Sequence, residues 1–191
     1  DCMNPENALA HLRPAPIPVA AGEATLDVVS ARFSATFGSR IETDRRVAGA
    51  GVREILAGVF AALHNRIETL RLPDDVYPVY WQLAKGLPAR AFSILPEIDW
   101  SFVEQAGPRD AILLPSPLSP LGRALTSDER ARLRRWLDES PRRFLILDGA
   151  YACDASFAPP APLDAERAIA IGSMSKPWAS RGLLGLARVP R

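Results

Sequence analysis

Residues Ala168-Ile169-Ala170-Ile171 run into Gly172-Ser173-Met174-Ser175-Lys176-Pro177, so a short apolar segment opens onto a turn of small residues that ends on a lysine. An apolar run without polar alternation is the pattern of a strand buried on both faces, which is where parallel sheets place their strands. Ala111-Ile112-Leu113-Leu114 and Phe144-Leu145-Ile146-Leu147 have the same character. Working outward, 67–72 alternates as a strand up to Pro73, 89–95 is a further strand candidate, and 183–189 is a last apolar one. Helical spacing intervenes. Leu26, Val29, Phe33 and Phe37 share one face of a helix over 25–37, with Gly38 as its stop. Ile55, Leu56, Val59, Phe60 and Leu63 line a second helix over 52–63. A short helix is expected within 77–84, and a charged amphipathic one over 127–137, capped by Thr126 or Ser127. Strands alternating with helices mean βαβ units and an α/β fold with a largely parallel sheet.

The bulk properties narrow the function classes. A chain of 191 residues makes one large domain, and 48% hydrophobic with 24% charged residues is an ordinary globular balance. A net charge of +1 argues against a nucleic-acid partner. No apolar run approaches the roughly 18 residues of a membrane span. Cys2 and Cys153 have no ligand-like spacing, so a reducing, cytoplasmic setting is the default. His11 and His64 are the two histidines, too few for a His-based metal site or proton relay, and no metal is expected. Residues 1–24, with Pro14, Pro16 and Pro18, read as an extended arm or linker before a domain over 25–191. The chain opens Asp1-Cys2-Met3, without a signal peptide and without Met at position 1, and reads as trimmed or partial.

Among 21 Arg the chain has two Lys, Lys85 and Lys176. An Arg cannot stand in for a Lys that must lose its proton and attack a carbonyl, because guanidinium stays charged. Lys176 has Ser175 and Ser173 one and three positions before it, just after an apolar strand. That is what a Schiff-base site requires: an amine for an aldehyde and hydroxyls for a phosphate. Read alone, the stretch is equally an ordinary surface turn. Lys85, before Gly86, reads as a helix C-terminal cation.

Other special residues fall at strand ends, where sites gather in parallel sheets. Gly49-Ala50-Gly51 lies between a strand and a helix, where small residues let an anion approach the helix N-terminus. Asp148 ends the strand at 144–147, and a carboxylate there is costly without a partner such as a protonated pyridine nitrogen. Capping of the next turn is the competing reading. Ser116-Pro117-Leu118-Ser119-Pro120-Leu121-Gly122 is a Pro-punctuated loop after another strand.

Taken in order, these stretches resemble the fold-type I pyridoxal-phosphate (PLP) enzymes, class I/II aminotransferase group. Gly49-Ala50-Gly51-Val52 is similar to the family's glycine turn, and Asp75-Val76-Tyr77-Pro78-Val79-Tyr80 to its Pro-x-Tyr-Pro-x-Tyr stretch. The loop from Ser116 to Gly122 resembles Asn-Pro-x-Asn-Pro-Thr-Gly. Asp148-Gly149-Ala150-Tyr151 resembles Asp-x-Ala-Tyr, and Ser173-Met174-Ser175-Lys176 resembles Ser-x-Ser-Lys. The resemblance implies a three-layer α/β/α large domain with a mainly parallel sheet of about seven strands, the last antiparallel to its neighbours. It implies Lys176 as the Schiff-base residue, Asp148 on the pyridine nitrogen, Tyr151 and Ser119 at the ring oxygen, and Tyr77 stacked on the ring. Ala50, Gly51 and Val52, with Ser173 and Ser175, would hold the phosphate. It further implies amino-acid and 2-oxo-acid substrates and a twofold dimer, for which Trp81, Trp178 and the arm at 14–18 suit an interface.

Two departures stand out. The loop's second Asn falls on Ser119, and the phosphate-clamping Arg expected eight residues past the lysine falls on Leu184, with Arg181 nearby as a substitute. The family also continues into a C-terminal small domain with a carboxylate-binding Arg, for which 1–191 has no counterpart, so this stretch alone is expected to be weakly active. The expected activity is amino-acid transamination. A PLP-dependent decarboxylase, lyase or cyclase and a non-catalytic binding or regulatory domain are the alternatives.

Overall fold

The computed structural model describes residues 23–37, 41–152, 167–176 and 184–190. Residues 1–22, with Cys2 and His11, and also Gly38, Cys153, Trp178 and Arg181, lie outside the described residues.

Seven strands among the described residues form one sheet: β1 (Arg46–Gly49), β2 (Thr69–Pro73), β3 (Ala89–Phe92), β4 (Asp110–Pro115), β5 (Phe144–Gly149), β6 (Ala168–Ser173) and β7 (Gly185–Arg188). Their order across the sheet is β1-β7-β6-β5-β4-β2-β3. Strands β2 to β6 pair in parallel, while β7 runs antiparallel to both β6 and β1. The expected mainly parallel sheet with an antiparallel last strand is what the chain forms.

Among the described residues the α-helices are α1 (Glu23–Phe37), α2 (Val52–Leu63), α3 (Val79–Leu83), α4 (Trp100–Glu104) and α5 (Ser127–Asp138). They cover both faces. Strand side chains alternate, so Ala111 and Leu113 of β4 pack with α2 and α3, while Ile112 and Leu114 pack with α4 and α5. Val29 and Phe33 of α1 close over Ala170 and Leu186. This gives three layers, α/β/α. Helix α5 begins on a capping box, in which the Thr126 hydroxyl accepts from the Glu129 amide at 3.2 Å and the Glu129 carboxylate from the Thr126 amide at 2.7 Å.

Several boundaries shift for local reasons. Ile67 does not join β2, because its amide bonds the Leu63 carbonyl and prolongs the end of α2. β3 stops at Phe92, because the Ile94 and Leu95 amides turn to the Asp75 carboxylate at 2.9 and 2.8 Å. Helix α3 excludes Tyr77, since the residue before a proline is disfavoured in helical conformation. The one-turn helix α4 carries no amphipathic signal long enough to read. One buried ion pair ties two strands: Arg71 donates to Asp110 across the β2–β4 pair at 2.7 Å.

Candidate functional site

The carboxyl ends of β2, β4, β5 and β6 lie side by side, and β1 ends at the same edge because Gly49 is opposite Gly185 and Gly185 opposite Ser173. That edge collects every described stretch singled out in the sequence.

Asp148 is nearly the last residue of β5, opposite Ile171 of β6 and Pro115 of β4. It is 5% exposed. Its Oδ2 accepts a hydrogen bond from the Tyr80 hydroxyl at 2.7 Å, and its Oδ1 one from the Ala150 amide at 2.9 Å. Burial pushes the carboxyl above its ordinary range, and the Tyr80 hydroxyl, the Ala150 amide and the Lys176 charge pull it part of the way back. Burial and the Asp148 charge in turn push the Tyr80 hydroxyl up, so it stays a donor. The 116–122 loop is tied to this strand end by the Ser116 amide, which donates to the Asp148 carbonyl at 2.8 Å. Ser119 stands half-buried in the turn that the Leu118–Arg123 bridge closes.

Lys176 follows β6 by three residues. Ser173 holds the turn, its hydroxyl accepting from the Ser175 and Lys176 amides at 3.2 and 3.4 Å. The Lys176 side chain is exposed, with Nζ 3.7 Å from the centre of the Tyr151 ring. Its charge reaches Asp148. The amine and the Tyr151 ring are in contact, at the ends of the neighbouring strands β6 and β5, and Asp148 lies on the second of these.

On the other side of Asp148, Tyr77 meets Tyr80 edge-on, with ring centres 5.3 Å apart and planes at 85°. The Tyr77 ring is exposed, and its hydroxyl accepts from Arg53 Nη2 at 3.1 Å. Asp75 fixes this segment against the end of β3 through Ser93, Ile94 and Leu95.

The glycine turn is tight. Gly51 has a φ of 93°, and a Cβ on Gly185 would lie 2.8 Å from the Gly51 carbonyl carbon. Two amides expected to face an anion are already engaged within the turn. The Ala50 amide donates to the Glu54 carboxylate, and the Gly51 amide to the Gly49 carbonyl at 2.8 Å. Val52 and Arg53 open α2, where an amide has no acceptor within the helix. Leu184 joins the apolar group of Met174 and Leu186, so the expected clamp position is filled by packing.

Tyr80, Arg53 and Glu54 are the site neighbours that sequence reasoning left without a role. Tyr80 had a signal, its place three residues after Tyr77 in the same stretch. Arg53 and Glu54 had only their place in the first turn of α2.

No protein-family model matches the chain. It is 32% identical over 157 residues to histidinol-phosphate aminotransferase 1 of Bordetella parapertussis, covering 76% of this chain and 41% of that protein. The crystal structure of YbdL from Escherichia coli, described with a methionine aminotransferase function, superposes with a TM-score of 0.77 at 20% identity, over 97% of this chain and 53% of YbdL. The PLP-bound C-S lyase from Staphylococcus hominis superposes with a TM-score of 0.73 at 15% identity, over 90% of this chain and 48% of the lyase. The fold is that of the large domain of these enzymes. Over the portion it spans, the chain is a homologue of the fold-type I, class I/II aminotransferases. It spans less than half the length of the curated relative.

Proposed function

We propose that the chain is the cofactor-binding part of a PLP-dependent aminotransferase that acts on an amino acid through Lys176. The observation that carries the reading is the placement of an exposed amine and a buried carboxylate beyond and at the ends of adjacent strands, with the Tyr151 ring beside the amine. The residues suit PLP: a buried carboxyl group for the ring nitrogen, exposed Tyr77 and Tyr151 rings, and hydroxyls and a helix N-terminus for a phosphate.

When bound, the cofactor supplies an electron sink for the charge that develops at the substrate Cα. The chain's residues do the rest. Asp148 Oδ holds the proton of the ring nitrogen, because a carboxylate in a low-dielectric site favours a neighbouring cation. Lys176 Nζ would anchor the aldehyde and, once the substrate's amine has taken its place there, would be free to carry the Cα proton. Tyr77 holds the ring through its exposed face. Tyr151 and Ser119 donate toward the ring oxygen. Val52, with Ser173 and Ser175, holds the phosphate, and Ala50 and Gly51 contribute the shape of the turn; Arg181 is the proposed substitute clamp. A homodimer in a reducing cytoplasm, with amino-acid and 2-oxo-acid substrates, completes the proposal.

The test is a half-reaction with the full-length protein, PLP and a panel of amino donors including histidinol phosphate. Conversion of cofactor to its amine form supports transamination. Release of carbon dioxide or a cleaved side chain instead would replace it with decarboxylase or lyase chemistry.

A further inference from the structure

We infer that Tyr80 is a positioning residue for Asp148: its hydroxyl fixes the carboxylate in place and keeps it charged for the cofactor's ring nitrogen. The inference rests on the PLP reading and adds to it a residue that the site proposal leaves without a role.

The geometry is specific. Tyr80 is 3% exposed and Asp148 5%, so the bond between them is buried. The 2.7 Å bond runs from the hydroxyl to Oδ2, while the Ala150 amide takes Oδ1. An ionised carboxylate accepts about four hydrogen bonds, so each oxygen keeps a lone pair for a further donor. With two fixed donors the carboxylate plane cannot turn, and a ring nitrogen would meet it in one orientation.

The electrical argument runs the same way. Burial alone drives Asp148 toward its neutral form. The groups opposing it are the Tyr80 hydroxyl from α3, the Ala150 amide from its own strand end and the Lys176 charge from beyond β6. Tyr77 and Tyr151 also bear on Tyr80. Lys176 is exposed and is the group a bound aldehyde would engage, which leaves Tyr80 and Ala150 as the constant donors. Tyr80 itself is held by α3, whose Ala84 amide bonds its carbonyl at 2.9 Å, and by the edge-on contact with Tyr77.

The experiment compares wild type, Tyr80→Phe, Asp148→Asn and the double variant as full-length proteins. PLP affinity, the pH midpoint of the bound-cofactor absorbance band and borohydride trapping on Lys176 are read for each. Tyr80→Phe should still trap on Lys176, bind PLP about tenfold more weakly, as expected for a hydrogen bond to a charged group, and shift the band's midpoint upward. In the Asp148→Asn background, removing the Tyr80 hydroxyl should change affinity less than about twofold, since the two act as one unit. Unchanged affinity and midpoint in Tyr80→Phe, with trapping intact, would overturn the role of Tyr80 and leave the PLP reading standing. A wild type that traps no PLP would overturn both. Should Tyr80→Phe alone not fold, the double variant against Asp148→Asn still decides: a large loss there would mean Tyr80 acts other than through Asp148.

Discussion

The Lys176 ammonium lies 3.7 Å from the centre of the Tyr151 ring, over a residue carried by the neighbouring strand end. A cation over an aromatic face at an exposed site gains about 0.5–1 kcal/mol. Replacing Tyr151 by Phe should preserve this seat for the amine, and Leu should remove it. Borohydride trapping by Tyr151→Leu is expected to be slower than by Tyr151→Phe. Equal rates in the two variants would show that the ring does not place the amine.

Gly185→Ala should destabilise the protein by about 1–3 kcal/mol, the usual range for overpacking. The added Cβ would lie 2.8 Å from both the Gly51 carbonyl carbon and Ile55 Cδ1, and backbone cannot swing aside as a long side chain can. Because Gly51 opens α2, PLP affinity should fall as well. Urea unfolding and a PLP titration measure both; a variant as stable as wild type would contradict the crowding.

Asp75→Ala should cost about 1–3 kcal/mol and also weaken PLP binding, although Asp75 is not among the residues proposed to hold the cofactor. Its Oδ2 accepts from the Ser93 hydroxyl and the Ile94 and Leu95 amides, and this clasp holds the segment that carries Tyr77 and Tyr80. Thr126→Ala, which removes the α5 cap, is the control. It should cost about 1 kcal/mol and leave PLP affinity unchanged.

Acid stability should carry a signature of Asp148. Its folded-state value is raised, so between the ordinary carboxyl value of about 3.9 and that raised value the native protein binds more protons than the unfolded one. The contribution is fully present below the ordinary value and is lost as pH rises through the raised one. In the absence of cofactor, the stability of wild type relative to Asp148→Asn should therefore decline as pH rises over that window. Glu129 has the opposite sign, lowered first of all by its hydrogen bond with Arg123, and is common to both proteins. Urea midpoints at a series of pH values read the difference; a wild type that gains on Asp148→Asn as pH rises would contradict the buried state of Asp148.

The strand candidates at 111–114, 144–147 and 168–171 were legible because a doubly buried strand must be apolar on both faces. Helix α2 was legible from end to end because its five buried positions follow one face between a glycine turn and a polar break. Strand order was not, since nothing local records that β4 sits between β2 and β5. The site was legible as motifs but not as contacts. The capture of the Ala50 amide by Glu54, the filling of the clamp position by Leu184 and the Tyr80 bond to Asp148 all depend on groups brought together by the folded turn. Nor does the sequence show what its many arginines hold. Arg143 donates to the carbonyls of Ala106, Gly107 and Trp136, satisfying backbone groups remote from the site in sequence.

Lys176 as the residue that captures PLP is tested most directly by reducing the PLP-loaded full-length protein with borohydride and mapping the labelled peptide. The account predicts a single label, on Lys176, and its loss in Lys176→Ala with stability lowered by no more than about 1 kcal/mol, the size of the contact with the Tyr151 ring. Label on Lys85, or a protein that binds PLP and carries no label, would contradict it.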